Sequence, residues 1–373
     1  MTNSRQNLPR FNSEILVLGG YGNFGKRIVR GLVRHGLNVI IAGRDIDKAR
    51  ALCAELPARR ARAVRVDIDH DFDATLRGLR PSVVVHTCGP FQDTDYTVAR
   101  ACIRAGSHYI DLADARDFVR EFHILEKEAR AASVTLISGA STVPGLSSAV
   151  IEHCRMNFAT LDYLDFGIAP GQKAERGLAT TRAILSYVGK QLRPFAGNPV
   201  PYGWQDLHTQ IYPVMGRRWL ATCDIPDLDL LPAAYGLKSI RFGAGLELDF
   251  MHLGLWLLSG LVRIGLPLDL EAWAKPFLAI SNGFNGMGSD TGGMHVTLTG
   301  TDKNGAPVIQ SWFIVAGSGD GPQIPCVPAI LLAKRLHEKS PGLNAGAYPC
   351  VGLIQLKDYL DELAGFDIKT FEA

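Results

Sequence analysis

Three glycines near the start of the chain are the residues whose types and spacing point most directly to chemistry. The apolar run 15–18 leads into Gly20, Gly22 and Gly25, which form the pattern G-x-G-x-x-G, and a helical pattern follows. Between a strand and a helix, such glycines permit a tight turn and a close approach of a pyrophosphate to the backbone. The free N–H groups at the helix start bind phosphate oxygens. The pattern predicts a dinucleotide site made by Gly20, Tyr21, Gly22, Asn23, Phe24 and Gly25.

The end of the next predicted strand indicates which dinucleotide is bound. That strand, 38–42, is followed by Gly43, Arg44 and Asp45. NAD-selective sites usually have an acidic residue about 20 residues past the glycines, whereas a guanidinium favours a 2′-phosphate. Arg44 therefore predicts NADP over NAD. Asp45 has two open interpretations, a contact with the adenosine ribose or the N-cap of the next helix, and Asp67 is predicted to belong to the cofactor site as well.

Hydrophobic periodicity divides the chain into regions of different architecture. Up to about residue 150, six apolar strand patterns alternate with helical patterns, which is typical of a parallel sheet covered on both faces. Beyond it the patterns are mixed, and Asn304-Gly305 between two alternating runs predicts a hairpin. The predicted fold class is α/β, with a doubly wound Rossmann domain at 1–150, an α+β substrate and dimerisation domain at 151–325, and a C-terminal return at 326–373 that packs on the Rossmann domain.

The end of the fourth predicted strand carries a second group of cofactor candidates. In a doubly wound sheet, ligands bind outside the carboxyl ends of the strands. The strand ends in Gly89, Pro90 and Phe91, where the glycine permits close backbone approach and the phenyl ring can form a wall. We expect this turn to flank the ribose and nicotinamide.

The fifth and sixth strand ends supply the candidates for contact with substrate. Asp111 is the candidate catalytic residue, for substrate polarisation or proton transfer. Asp114 is a candidate for substrate binding, although it fits equally well as a helix cap. Ser141 and Thr142 precede a proline-started helix and either bind substrate or cap that helix.

Whole-chain properties narrow the possible partners. The formal net charge is +2 and no basic run is interleaved with aromatic residues, so we predict a small-molecule substrate and no nucleic-acid partner. The seven cysteines are scattered without metal-ligand spacing, which predicts reduced thiols, a cytoplasmic location and no metal site. The polar residues 1–13 contain no apolar segment of the kind found in a signal peptide.

The most apolar stretch of the chain lies at 250–268. Its length approaches the roughly 20 residues of a membrane span, but Arg263 and Pro267 argue against a span. A helix buried at a domain or subunit interface is the favoured interpretation, and with it a homodimer. Peripheral membrane contact through 250–268 remains the alternative.

Taken together, these motifs resemble the NADP-binding domain of the saccharopine dehydrogenase-like oxidoreductases. The resemblance rests on Gly-Pro-Phe at 89–91, Ala-Cys at 101–102, Tyr109 with Asp111, and Pro-Gly at 144–145, and it covers about the first 150 residues. It implies an NADP-dependent oxidoreductase with a Rossmann domain and a separate α+β domain. It does not imply saccharopine as the substrate.

The predicted reaction is hydride transfer between NADPH and a carbon of a C=N or C=O group, with the pocket deciding the substrate. Two alternatives stay open. In the first, the protein is a non-catalytic NADP-binding sensor or a membrane-associated scaffold. In the second, it performs the carboxypolyamine-type reductive condensation that the resemblance to this family implies as a further enzyme activity. The second alternative requires an acidic pocket for the polyamine nitrogens.

Overall fold

Two seven-stranded sheets, both flanked by helices, make up the protein in a computed structural model that describes residues 14–92 and 94–373. The prediction made from residues 1–13 lies outside the described residues. The two-sheet architecture confirms the predicted α/β fold class with a parallel sheet followed by a mixed one.

The first sheet is built mainly from the N-terminal part of the chain. Its strands there are β1 (Ile15–Leu18), β2 (Val39–Gly43), β3 (Ala61–Arg65), β4 (Val83–His86), β5 (His108–Asp111) and β6 (Thr135–Ser138). The helices between and after them are α1 (Asn23–Arg34), α2 (Ile46–Ala54), α3 (Phe72–Leu79), α4 (Thr97–Ala105), α5 (Arg116–Glu121), α6 (Glu126–Ala131) and α7 (Ser147–Cys154).

The strand order of this sheet creates the crevice that a ligand needs. The order is β6-β5-β4-β1-β2-β3, and every neighbouring pair is parallel. The residues of β1, β4 and β6 are all buried, because helices cover both faces of the sheet. The chain moves from β1 to β2 on one side and later to β4 on the other, so the crevice lies beyond the carboxyl ends of β1 and β4.

The second sheet is mixed. Its strands are β7 (Thr160–Ala169), β8 (His208–Tyr212), β9 (Gly216–Thr222), β10 (Ser239–Ala244), β11 (Gly292–Thr301) and β12 (Pro307–Ala316). The helices of this region are α8 (Leu178–Tyr187), α9 (Asp227–Tyr235), α10 (Asp249–Arg263) and α11 (Ala274–Gly283). β7 and β10 are parallel, whereas β11 and β12 form the predicted antiparallel hairpin around Asp302–Gly305.

The C-terminal residues connect to both sheets. They form α12 (Val327–His337), β13 (Gly346–Pro349), α13 (Leu356–Glu362) and β14 (Ile368–Glu372). α12 packs on α1 and β13 extends the first sheet beside β6, but β14 pairs with β12 in the second sheet. The division into 1–150, 151–325 and 326–373 stays a prediction, and the last segment does not pack on the first domain alone.

The apolar stretch 250–268 forms α10 and the loop that follows it. Only His252 and Ser259 of this helix are buried, so within this chain it is not the buried domain-interface helix that hydrophobicity favoured. Leu257 is 59 % exposed and Ile264 is 80 % exposed. No helix in the described parts of the chain combines the length and the apolar character needed to cross a bilayer.

Candidate active site

One cleft of about 260 Å³ lies where the crevice of the first sheet meets the start of α8. The first domain contributes three groups of residues to its walls, from the glycine turn, from the end of β4 and from the segment after β5. These are Gly22, Asn23, Phe24, Thr87, Cys88, Gly89, Pro90, Phe91, Leu112 and Asp114. The opposite wall comes from the second domain and consists of Gly177, Leu178, Ala179, Thr180 and Ala183.

The glycine turn forms a close-fitting cradle before α1. The left-handed residue of the turn is Gly19, with φ of 72°, which immediately precedes the G-x-G-x-x-G pattern. A Cβ on Gly25 would lie 2.1 Å from the carbonyl oxygen of Gly19, so only glycine lets α1 sit this close to β1. Gly22 immediately precedes the helix, whose first N–H groups have no intrahelical acceptor and can bind an anion.

The end of β2 presents one exposed cation beside this cradle. Arg44 is exposed and has no salt bridge within 4 Å among residues 14–92 and 94–373. The ring of Tyr21 covers Gly43, and its hydroxyl accepts a hydrogen bond from the Asp45 N–H at 2.9 Å. Tyr21 therefore holds the backbone on both sides of Arg44.

The two acidic candidates near Arg44 make local hydrogen bonds. Asp45 is the N-cap of α2, because its carboxylate accepts from the N–H groups of Asp47 at 3.1 Å and Lys48 at 3.2 Å. The backbone hydrogen bond from Lys48 lowers the pKa of Asp45. Of the two interpretations left open for Asp45, the capping geometry is therefore the one present. Asp67 lies beyond β3 and accepts a hydrogen bond from the N–H of Asp69 at 3.2 Å.

The turn after β4 is held by aromatic packing. Gly89, Pro90 and Phe91 all line the cleft, and the buried Phe91 ring packs edge-on against His86 with centroids 5.1 Å apart. Burial raises the pKa of the neighbouring Cys88 thiol to about 11, so this cysteine is protonated at neutral pH. The cleft wall at this turn is neutral.

Asp111 is a structural brace between two strand ends. Its Oδ1 accepts hydrogen bonds from Ser138 Oγ at 2.9 Å and from the N–H groups of Gly139 at 2.8 Å and Ala113 at 3.0 Å. The residue is fully buried and does not line the cleft, and burial raises its pKa to about 6. Asp111 thus lies behind the cleft surface in this arrangement, and its role in catalysis stays a prediction.

Asp114 is the carboxylic acid that faces the cleft among the described residues. It lines the wall opposite α8, and its Oδ1 accepts a hydrogen bond from Gln92 Nε2 at 3.3 Å. Burial raises the pKa of Asp114. Ser141 and Thr142 are half-buried at the carboxyl end of β6, and neither lines the cleft.

The second domain closes the site through contacts that sequence reasoning missed. Glu175 lies just before α8, and its carboxylate contacts Lys26 Nζ at 2.9 Å and Arg27 Nη1 at 3.2 Å. The carbonyl oxygen of Glu175 accepts a hydrogen bond from Asn23 Nδ2 at 3.0 Å. No local pattern identifies these residues, because Glu175 and the glycine turn are about 150 positions apart in the chain.

The residues present fit a dinucleotide. A pyrophosphate requires a close-fitting cradle and a free helix start, which the glycine turn and α1 supply. A 2′-phosphate requires a cation, and the exposed Arg44 guanidinium has no salt bridge within the described residues. Fold and site together define a two-domain dinucleotide-binding protein.

Comparison with known families identifies the type of dinucleotide domain. Residues 15–137 match the family described as the saccharopine dehydrogenase NADP binding domain. This match confirms the predicted resemblance to the NADP-binding domain of the saccharopine dehydrogenase-like oxidoreductases, and with it the predicted cofactor, NADP. No curated protein sequence matches the chain.

Solved structures extend the likeness of fold to the whole chain. The apo, histidine-tagged saccharopine dehydrogenase (L-Glu forming) from Saccharomyces cerevisiae is similar with a TM-score of 0.62 and 13 % identity, over 97 % of this chain and 100 % of that one. An amine dehydrogenase from Mycobacterium smegmatis is less similar, with a TM-score of 0.47 and 11 % identity over 92 % of this chain and 96 % of that one. A mutant meso-dapdh with DAP from Clostridium tetani has a TM-score of 0.46 and 11 % identity, over 93 % and 95 %.

Proposed function

We propose that this protein is an NADP(H)-dependent oxidoreductase that transfers hydride to or from a C=N or C=O carbon of a small organic substrate. The observation that carries the proposal is the single cleft in which the glycine turn, the Gly89–Phe91 turn and Asp114 meet beneath α8. The family model that matches residues 15–137 supports the same proposal, because it describes the NADP-binding domain of saccharopine dehydrogenase.

The cofactor-binding residues we propose follow from their placement. Gly22, Asn23 and Phe24 would hold the pyrophosphate at the start of α1, and Arg44 would bind the 2′-phosphate. The neighbouring Gly20, Tyr21, Gly25, Asp45 and Asp67 would shape this half of the site. Bound NADPH would supply the hydride, and the protein would orient it beside the turn at Gly89, Pro90 and Phe91.

Asp114 is the proposed acid or base. A carboxyl group whose pKa is raised by burial holds a proton closer to neutral pH, which suits proton transfer to the nitrogen or oxygen of a reacting C=N or C=O group. The rest of the described cleft wall offers neutral groups for binding, such as Asn23 and Thr180. Ser141 and Thr142 remain proposed substrate contacts only for a substrate that extends beyond the cleft.

The alternatives are weighed by the composition of the cleft. A carboxypolyamine-type condensation needs several carboxylates, and Asp114 is the acid found in the described cleft wall, which does not favour that reaction. A non-catalytic NADP sensor remains the rival proposal. It predicts cofactor binding without turnover.

Two measurements, made one after the other, test the proposed function. NADPH and NADH are first titrated by fluorescence, and NADPH is expected to bind more tightly. NADPH consumption is then followed with a panel of imines, aldehydes and ketones, each with and without an amine partner. Turnover with any member supports the oxidoreductase, whereas tight NADPH binding with no turnover across the panel favours the sensor. Failure to bind either nucleotide would contradict both.

We also propose a homodimer formed through the exposed apolar face of α10 and α11. Leu257 of α10 is 59 % exposed and Ile280 of α11 is 58 % exposed, and large apolar side chains left in water gain free energy when a partner covers them. Light scattering of the wild type and of Leu257→Glu tests this, with a monomer expected for the variant. Flotation of the wild type with liposomes would support the alternative of peripheral membrane contact.

A further inference from the structure

A second cavity of about 330 Å³ lies between α8, α10 and α11, outside the cleft described above. Its volume falls within the roughly 300–1,000 Å³ that is usual for small-molecule sites. The walls are made almost entirely of aliphatic and aromatic side chains, among them Ile184, Leu185, Leu255, Leu258, Phe277 and Phe284. Such a lining matches an apolar ligand, because contact with it removes apolar surface from water.

Helix α8 separates this cavity from the cofactor cleft. Leu178, Ala179, Thr180 and Ala183 line the cleft, whereas Thr181, Ile184 and Leu185 line the second cavity. At 100° per residue the centres of these two sets lie on opposite sides of the helix, and a helix with its side chains is about 10–12 Å across. The cavity is therefore separate from the cofactor cleft and not its far end.

One cation stands at the wall of this apolar cavity. Arg176 lies immediately before α8, and its Nη atoms donate only to neutral acceptors, namely Gln172 and, at 3.2 Å, Asn285 Oδ1. Its buried Nε has no hydrogen-bond partner, and no carboxylate lies within 4 Å of the guanidinium among residues 14–92 and 94–373.

Glu247, the acid whose charge acts on Arg176, does not neutralise it by direct contact. The Glu247 carboxylate is paired with Arg218 at 3.3 Å and accepts hydrogen bonds from the side chain and N–H of Ser289 and from the N–H of Gln172. Among the described residues, Arg176 thus keeps a positive charge without a paired anion at the wall of an otherwise mostly apolar cavity.

From this combination we propose that the cavity binds an anionic amphiphile with a single alkyl chain, of the medium-chain carboxylate class. The alkyl chain of the ligand lies between α10 and α11, and its carboxylate lies toward Arg176. The site is independent of the NADP cleft and does not rest on hydride transfer.

Two glycines in α10 provide a matched pair of variants. Gly254 lines the cavity and Gly260 does not, and a Cβ added at either position would meet no atom within 4 Å. The Cβ of either new side chain is therefore accommodated by the neighbouring structure, and both glycine-to-leucine changes improve helix propensity. Only Gly254→Leu places new side-chain atoms at the cavity wall.

The test is titration calorimetry of the full chain with dodecanoate and with dodecyltrimethylammonium, both below their micelle concentrations. Dodecanoate is expected to bind at least about tenfold more tightly than the cation, as one charge-assisted contact implies. Gly254→Leu is expected to weaken dodecanoate about tenfold or more, whereas Gly260→Leu leaves it unchanged. Thermal melts and NADPH titrations of both variants check that the fold and the cofactor cleft are intact.

Three results would overturn the proposal. The first is that dodecanoate does not bind. The second is that dodecyltrimethylammonium binds as tightly as dodecanoate. The third is that folded Gly254→Leu binds dodecanoate with the same affinity as the wild type. If dodecanoate does not bind but phospholipid vesicles do, the first of these results assigns this face to a membrane surface.

Discussion

The carboxylate of Glu175 lies 2.9 Å from the ammonium of Lys26, which joins the second domain to the first turns of the helix that follows the glycine turn. Burial alone would raise the pKa of Glu175, but hydrogen bonds and charges from Lys26 and Arg27 outweigh it and lower the pKa. An acid is thus held beside the helix start that is proposed to receive a pyrophosphate.

We predict that Glu175→Gln binds NADPH about two- to fivefold more tightly at low ionic strength, because it removes a negative charge near the phosphates and frees Lys26. The effect is small since the Glu175 side chain is 47 % exposed, and it should fade in high salt. Glu55→Gln is the control, because Glu55 pairs with Arg30 farther along α1. An equal change in both variants would contradict a local effect at the phosphates.

Arg44→Ala is predicted to weaken NADPH about 10- to 100-fold while changing NADH less than about twofold, because only the 2′-phosphate contact is lost. Fluorescence titration of both nucleotides measures this. Arg50→Ala removes an exposed arginine of the adjacent α2 and is expected to change neither affinity. Equal losses of affinity for NADPH and NADH in Arg44→Ala would show that Arg44 does not bind the 2′-phosphate.

Asp114→Asn is predicted to lower kcat about 10²- to 10⁴-fold, the usual range for loss of a general acid or base. NADPH affinity should stay within about twofold, since the cradle and Arg44 are untouched. Steady-state kinetics with a substrate identified in the panel gives kcat. The matched control is Asp117→Asn in the exposed part of α5, three residues away. Full activity of Asp114→Asn would remove Asp114 from the mechanism.

Two helical glycines make opposite predictions for stability. Gly25→Ala forces a Cβ against the Gly19 carbonyl and is predicted to destabilise by about 2–3 kcal/mol, as overpacking does. Gly78→Ala in α3 meets no atom within 4 Å and is predicted to stabilise by about 0.5–1 kcal/mol. Urea unfolding curves measure both. Similar effects of the two changes would refute the steric role of Gly25.

Asp227 is predicted to make stability fall as pH rises. It is fully buried and hydrogen-bonded to Ser147 Oγ, and burial raises its pKa to about 7, from an unfolded value of about 4. Between about pH 4 and 7 the folded state binds the proton of Asp227 more tightly than the unfolded state does. The stabilisation from protonated Asp227 is therefore fully present below about pH 4 and is lost as the pH rises through about 7. At about 1.4 kcal/mol per pKa unit the change is up to about 4 kcal/mol.

The measurement is urea unfolding of the wild type and Asp227→Asn between pH 4 and 8, because the variant lacks this titration. The nearby Cys350 and Tyr235 stay neutral in this range, since burial raises the pKa of each. The stability difference between the two proteins should therefore change with pH. A constant difference would show that Asp227 does not titrate in the folded protein.

Local sequence determined the cofactor half of this protein. An apolar strand, glycines at fixed spacing and Arg44 at the next strand end are features within 30 consecutive residues, and their chemistry follows from backbone sterics and charge. Apolar runs alternating with helical patterns likewise predicted the parallel sheet, because a strand that is buried on both faces is apolar along nearly its whole length.

Tertiary structure decided what the strand-end carboxylates do and what closes the site. Asp111 and Asp114 are three residues apart, yet one turns inward to brace Ser138 and Gly139 while the other faces the cleft, a difference that depends on backbone direction after β5. The wall formed by α8, the Glu175–Lys26 pair and the apolar cavity behind α8 all join residues far apart in the chain. Such contacts arise only when the two sheets pack together, so no local pattern records them.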